Sequence, residues 1–133
     1  MKIEVSNGEI MDKLTILSIK LNQIKDEAKL KNVQKEYDEL APIVHGIYES
    51  INNEVDYQEL KKLHKDLQDI NQTLWNIEDQ IRVHEKINDF EEDFIELARS
   101  VYFTNDERAS VKKSINALTG SALIEEKSYE EYK

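Results

Sequence analysis

The chain contains three arginines among fifteen lysines, and each arginine marks a place where side-chain geometry could serve binding. They are Arg82, Arg99 and Arg108. A guanidinium group offers a planar fork that matches a carboxylate or phosphate with two hydrogen bonds, whereas a lysine ammonium acts as a point charge. The arginines therefore indicate either ordinary ion pairs, on the surface or between helices, or a site for an anionic group.

A polar block, TNDE at 104–107, interrupts the apolar segment that carries two of these arginines. In one interpretation Thr104 caps a new helix and Glu107 completes a Thr-x-x-Glu capping box. In the other the helix continues, since Val101, Thr104 and Arg108 keep helical steps of 3 and 4. We prefer the continuous helix because an inserted loop has no reason to preserve this phase.

On a continuous helix Arg108 points toward the interior of the protein. A buried guanidinium without a partner is costly, so Arg108 then requires a carboxylate, a ligand or solvent. The acids that could supply a carboxylate are Asp12, Glu78, Asp79, Glu85, Glu125 and Glu126.

A second set of polar residues forms a stripe at helical spacing around the single tryptophan. Asn71, Trp75, Glu78, Arg82 and Glu85 follow one another at steps of 4, 3, 4 and 3. Charges of opposite sign at such spacing pair on a helix surface. The stripe is therefore either a salt-bridged helix face with a partly buried Trp, or the wall of a polar pocket or oligomer contact.

Composition excludes several other kinds of site. The chain has no cysteine, which removes disulfides and thiolate chemistry, and its net charge of −10 disfavours nucleic-acid binding. The three histidines lack metal-ligand spacing, and the acids at 89–96 match no metal motif, so we expect neither a metal nor a cofactor. The apolar runs are too short to cross a membrane and the start of the chain carries no signal region, which favours a cytoplasmic protein.

Heptad spacing predicts the elements that position these residues. Four amphipathic runs span 10–28, 33–51, 60–84 and 90–118. The expected helix caps are Ser6, Asn32, Asp56 and, at the last C-terminus, Gly120. Pro42 predicts a kink or break in the second run.

These runs predict an all-α fold: one domain, 1–133, built as an antiparallel bundle of about four long amphipathic helices with a short C-terminal tail at 120–133. Apolar residues in the tail, Leu123, Ile124 and Tyr129, would dock it. The predicted core includes Leu67, Leu74, Ile77, Leu97 and Ile115. A long hairpin that projects beyond shorter partners would expose an apolar seam, so we expect a homodimer.

Several stretches resemble an uncharacterised family of small helical bacterial and phage proteins. They are VSNGEIMDKLTILSIK (5–20), LWNIEDQIRVHE (74–85), FIELARSVYFTNDERASVKKSINALTGS (94–121) and EEKSY (125–129). The resemblance implies a setting near glycosyltransferase and polysaccharide-biosynthesis proteins, and no activity. The shared positions include Asp12, Lys13, Trp75, Glu78, Asp79, Arg82, Arg99, Tyr102, Asn105, Asp106 and Arg108, which we take as candidate residues for binding a ligand or partner. They also include Lys127 and Tyr129.

Three functions remain open at this point. The first is a non-enzymatic interaction or regulatory module that binds a protein partner, in the setting of surface-polysaccharide synthesis. The second is a small-molecule enzyme or sensor that holds an anionic ligand through Arg and Lys groups, by analogy with helical chorismate mutases. The third, a metal-dependent pyrophosphohydrolase, is disfavoured because its motif is missing.

Overall fold

The computed structural model describes residues 1–132, and in that range the protein consists of four α-helices without β-strands. The helices are α1 Asn7–Gln23, α2 Glu27–Glu49, α3 Glu54–Lys86 and α4 Glu92–Thr119. Connections of only three to five residues join them, at 24–26, 50–53 and 87–91, which makes consecutive helices antiparallel. The predicted all-α bundle with a C-terminal tail is therefore confirmed; Lys133, the last residue of the predicted tail, lies outside the described residues.

Residue spacing correctly predicted three features: the start of α1, the end of α4 and the continuity of α4 through the polar block. The hydroxyl of Ser6 accepts a hydrogen bond from the backbone N–H of Glu9, as its capping-box spacing predicts. Gly120 ends α4 in the left-handed conformation, with φ of 64°, which suits glycine. The polar block at 104–107 lies inside α4 without interruption. Thr104 therefore caps no new helix, and the continuous-helix interpretation is confirmed.

Two predicted caps are wrong, and a predicted break does not occur. The helix α2 begins before Asn32, because the Asp26 carboxylate accepts the backbone N–H three residues further on. Asn53 caps α3, and Asp56 supplies the N–H that Asn53 binds. Pro42 lies within an unbroken α2. The two cap errors have the same origin, since several polar residues near a helix start can cap it and the apolar phase does not choose among them.

The core lies between the first half of α1, the second half of α2, the first half of α3 and the end of α4. α1 packs against each of the other three helices, and α3 packs along α4. The buried apolar cluster consists of Met11, Leu14, Val44, Ile47, Leu60, Leu63, Leu67 and Ile115. This cluster fixes the rotation of each helix and so decides which polar side chains face inward.

The opposite end of the α3–α4 hairpin is more open. Of the predicted core residues, Leu67, Ile77 and Ile115 are buried as expected, but Leu74 and Leu97 are only half-buried. The helix α1, with 17 residues, is about half as long as α3, with 33 residues, and does not extend along all of it. The prediction that Leu74 and Leu97 are buried is therefore wrong. Both lie on the apolar stripe of their helix, but fewer helices surround them than surround the core.

A group of exposed apolar side chains surrounds the connection between α3 and α4, and we call it the tip patch. Its members, with exposed fractions of 46 to 61%, are Val83, Ile87, Phe90 and Ile95. No helix between residues 1 and 132 is long and apolar enough to cross a membrane.

The C-terminal tail lies along α4, where an ion pair and the ring of Tyr132 hold it. Glu125 forms an ion pair with Lys112 of α4, with 2.9 Å between the ammonium nitrogen and a carboxylate oxygen. Leu123, Ile124 and Tyr129, which were expected to dock the tail, are exposed. The tail therefore contacts α4 through Glu125 and Tyr132, and not through the three apolar side chains that were predicted to dock it.

Candidate functional site

A buried carboxylate on α1, that of Asp12, receives the arginine that the polar block carries. The Asp12 side chain is 1% exposed. The Arg108 Nε lies 2.9 Å from Asp12 Oδ1, and Arg108 Nη2 donates to Oδ2. The contact is therefore bidentate, which fixes the geometry of both groups. Asp12 was one of the candidate partners for Arg108, so this part of the hypothesis is confirmed.

Neighbouring polar groups complete the environment of Asp12. Asn71 of α3 donates from Nδ2 to Asp12 Oδ1 at 2.8 Å and to the Thr15 hydroxyl at 2.7 Å. The Thr15 hydroxyl in turn donates to the backbone carbonyl of Asp12 at 2.7 Å. Across the described chain no buried side-chain nitrogen or oxygen lacks a partner. This satisfaction is what makes a charge at the centre of a small bundle tolerable.

Lys112 extends this cluster to the start of α1 and to the tail. Its ammonium nitrogen lies 2.7 Å from a Glu9 carboxylate oxygen, 2.9 Å from one of Glu125 and 3.9 Å from Oδ2 of Asp12. Burial alone lowers the pKa of Lys112, but the hydrogen bonds to Glu9 and Glu125 outweigh it and raise the pKa. In the same way the hydrogen bonds to Asp12 raise the pKa of Arg108 against the effect of burial. Both cations are therefore fixed in their charged forms.

A close backbone contact brings α1 and α4 together beside this cluster. The Gly8 N–H donates to Asn116 Oδ1 at 2.7 Å. A Cβ atom at Gly8 would lie 2.5 Å from the backbone carbonyl oxygen of Lys112. Only glycine allows this approach. The sequence analysis did not identify Gly8, Thr15, Lys112 and Asn116 as part of this site. Each lies on or beside the apolar face of its helix, and that position was the only indication in the sequence that it would be buried.

Above Arg108 lies an open groove between α1, α3 and α4, with a volume of about 540 Å³. Its lining residues are Ile16, Ile19, Asn71, Leu74, Trp75, Glu78, Asp79, Arg82, Asn105 and Arg108. Six of the eleven candidate binding residues line this groove, and Asp12 binds one of them. The structure thus brings most of the tryptophan stripe together with Asn105 of the polar block and with Arg108, although they lie on different helices. The volume is within the roughly 300–1,000 Å³ range of ligand pockets.

Charges inside the groove are partly neutralised and partly free. Arg82 pairs with Glu78 one turn earlier on α3, and Arg108 pairs with Asp12. Within residues 1–132, Asp79 and the Asn105 amide have no hydrogen-bond or ion-pair partner from the protein. The structure therefore leaves a carboxylate and an amide available beside the half-buried Trp75.

Lys13 lies away from this groove. It is exposed on α1 and lies 3.5 Å from a Glu36 carboxylate oxygen of α2, measured from its ammonium nitrogen. Asp12 and Lys13 are adjacent in sequence, and a helical step of about 100° turns their side chains to different neighbours. The structure therefore does not bring these two candidate residues together.

The remaining candidates, Arg99, Tyr102 and Asp106, lie on another face of α4. Arg99 lies over the ring of Phe103, 5.8 Å from its centre. Tyr102 and Phe103 both contact the ring of Tyr132 from the tail, and Asp106 accepts a hydrogen bond from the Tyr132 hydroxyl. These residues form a tail-docking surface, separate from the groove.

No group of three or more Asp, Glu or His residues between 1 and 132 is placed to hold a metal ion. The site consists instead of a structural ion-pair cluster below and an open groove above.

These features define an all-α protein with a buried ion-pair cluster joining its first and last helices. The chain belongs to a family of unknown function, DUF6165, whose family model matches residues 1–132. The resemblance to an uncharacterised family is thereby confirmed over almost the whole chain. Neither the curated proteins nor the solved structures include a match to this chain.

Proposed function

We propose that the protein is a non-enzymatic helical interaction module that docks a basic partner protein on the far end of the α3–α4 hairpin. The observation that supports this function is the tip patch. Its four apolar side chains are about half or more exposed around a single turn. Apolar residues grouped on a polar surface mark sites of protein contact.

Charge around the tip patch favours a basic partner. Residues 78–99 contain eight acids and three Lys or Arg residues, and the whole chain has a net charge of −10. Two copies of such a surface repel each other, whereas a basic surface is attracted and steered toward it. The sequence-based expectation of a homodimer stays a prediction, and the experiment below includes it as an outcome.

The alternative function, a small-molecule enzyme or sensor for an anionic ligand, has weaker support. It requires free guanidinium groups, and Arg82 and Arg108 are each paired with a carboxylate. An anion in the groove would have to compete with Glu78 or the buried Asp12, and Arg99, which has no carboxylate partner between residues 1 and 132, lies outside the groove. The resemblance adds a setting for the interaction module, which is surface-polysaccharide synthesis in the cytoplasm.

A pair of matched variants tests the module. Ile95→Glu places a charge in the tip patch, and Val55→Glu places the same charge on an exposed apolar residue of the first turn of α3. The probe is an amphipathic helical peptide of Leu and Lys, with a twin in which Glu replaces Lys. Titration calorimetry should show binding of the Lys peptide, weakened about ten-fold or more by Ile95→Glu and unchanged by Val55→Glu.

Two outcomes contradict this proposal. Equal binding of the Lys peptide to both variants means that its attraction is unspecific. Light scattering that gives a dimer, which Ile95→Glu alone dissociates, means that a second copy of the chain covers the tip patch.

A further inference from the structure

The groove between α1, α3 and α4 is lined by one aromatic side chain, Trp75, which contacts neither a cation nor another ring in the described chain. Residues 1–132 contain two contacts between a cation and a ring, Arg99 with Phe103 and Lys127 with Tyr129, and neither involves Trp75. No other ring packs on Trp75 in the same range. Trp75 is half-buried and lines the groove, and tryptophan is the best aromatic receptor for a cation.

Next to this face lies a free carboxylate. Asp79 is four residues after Trp75 on α3, so the two side chains are neighbours on the same side of the helix. Both line the groove. Arg82, which could have neutralised Asp79, donates instead to the carboxylate and backbone carbonyl of Glu78. The groove is thus lined by an indole ring and by a carboxylate without a cationic partner, four residues apart on the same helix.

Hydrogen-bond donors on the α4 side complete the groove. The guanidinium of Arg108 has five N–H donors, of which two bind Asp12. The amide of Asn105, which has no partner in the described chain, lies in the same wall of the groove. Because Asp12 neutralises Arg108, these donors suit an uncharged acceptor, such as a peptide carbonyl, better than an anion.

We infer, building on the proposed interaction function, that this groove binds a basic side chain of a partner protein segment. Its guanidinium or ammonium group lies over Trp75 and pairs with Asp79, while the adjoining backbone carbonyl accepts hydrogen bonds from Asn105 and Arg108. The groove then selects which basic segment the module takes, and the tip patch adds apolar contact.

The single tryptophan reports this binding directly. The probe is a capped tripeptide, Ala-Arg-Ala, with a citrulline twin that keeps the shape and removes the charge. UDP-glucose serves as an anionic ligand for comparison with the arginine peptide. Trp75 fluorescence at low ionic strength should titrate with the arginine peptide in the millimolar range, and about five-fold more weakly with the citrulline twin. Equal responses to both twins, or tighter binding of UDP-glucose, would overturn the inference.

Variants assign the effect to the groove. Asp79→Asn should weaken the arginine peptide about five-fold, whereas Glu59→Gln removes the same charge from an exposed position on the same helix and should change nothing. Trp75→Leu, followed by titration calorimetry, should reduce the preference for arginine over citrulline, and the preference that remains is the contribution of Asp79. An unchanged affinity in Asp79→Asn contradicts the assignment of the carboxylate.

The inference about the groove and the proposed function of the tip patch can be disproved independently. Val83, the member of the tip patch nearest to Trp75 along α3, lies eight residues beyond it, about 12 Å along the helix axis, whereas three extended residues span about 10 Å. The tripeptide therefore does not reach the tip. If Ile95→Glu weakens the Leu/Lys peptide while the tripeptide fails to bind the wild-type protein, the groove inference is wrong and the interaction module stands. If the tripeptide binds and the Leu/Lys peptide does not, the groove binds a basic side chain and the proposed docking at the tip patch is wrong.

Discussion

Asp12 on α1 and Arg108 on α4 are 96 residues apart in the chain, and their bidentate ion pair joins the two helices. Removal of Arg108 leaves a buried carboxylate with Asn71 and a more distant Lys112 as its remaining partners. Arg108→Ala should therefore lower the free energy of unfolding by about 3 kcal/mol, measured by urea denaturation. Because the guanidinium fork matters, Arg108→Lys should recover only part of the loss.

The matched test of this ion pair removes both charges. Asp12→Asn combined with Arg108→Met leaves no stranded carboxylate, so the double variant should be more stable than Arg108→Ala alone. A cost for Arg108→Ala at or below about 1 kcal/mol, as for exposed pairs, contradicts a structural role for the pair.

The close approach of α1 to α4 at Gly8 predicts a strong effect of a single methyl group. Gly8→Ala places a Cβ against the Lys112 carbonyl oxygen, which is backbone and cannot swing aside. We expect a loss of about 1–3 kcal/mol in unfolding free energy. Gly46→Ala is the control, because it lies in α2 with open space around it. It should stabilise the protein by about 0.5–1 kcal/mol, and similar effects at both glycines would contradict the contact.

The sequence pattern predicted the course of α4 because the steps through Val101, Thr104 and Arg108 follow helical geometry, a local property of the chain. It also predicted that Arg108 would seek a carboxylate, since an unpaired buried charge is costly anywhere. It did not choose Asp12 among six acids. That choice depends on how far α1 slides and rotates against α4, and no local pattern encodes this register.

The candidate residues lie on different surfaces of the protein, and residue spacing predicted this only within a single helix. Trp75 and Arg82 were on one stripe of one helix, so their common location followed from spacing. Asn105 and Asp106 are neighbours in the polar block, yet the first lines the groove and the second contacts the tail. A helix turns adjacent side chains by about 100°, so a motif written as consecutive letters supplies residues to different surfaces.

Heptad position alone does not measure burial, and Leu67 and Leu74 show the difference. Both occupy the same apolar stripe of α3, but Leu67 is fully buried and Leu74 only half-buried. Leu67→Ala should cost about 2–5 kcal/mol in unfolding free energy, and Leu74→Ala about half as much. Equal costs in urea denaturation would show that another chain covers Leu74 in solution.

His64 should make stability depend on pH near neutrality. Burial lowers the pKa of His64 below its ordinary value of 6.5, and the ring hydrogen-bonds the Tyr48 hydroxyl at 2.9 Å. As the pH falls from about 7.5 to about 5.5 the unfolded chain gains this proton and the folded chain resists it, so the folded protein loses stability. His64→Gln should lose less over the same interval in urea denaturation. The same loss in both proteins would place the effect on another group.

The tail should be held less tightly when the ion pair between Glu125 and Lys112 is removed. The hydrogen bond from Lys112 lowers the pKa of Glu125, so docking should persist at about pH 5 and weaken as the pH falls below the ordinary value of 4.5. Glu125→Gln removes this charge, while Glu126→Gln removes a neighbouring one that has no partner in the described chain. Hydrogen exchange in residues 121–132 should accelerate in Glu125→Gln and stay unchanged in Glu126→Gln. The free energy of unfolding should change by about 0.5 kcal/mol or less, because the pair is partly exposed. Faster exchange throughout α4 in Glu125→Gln would instead mean that the tail holds the bundle together.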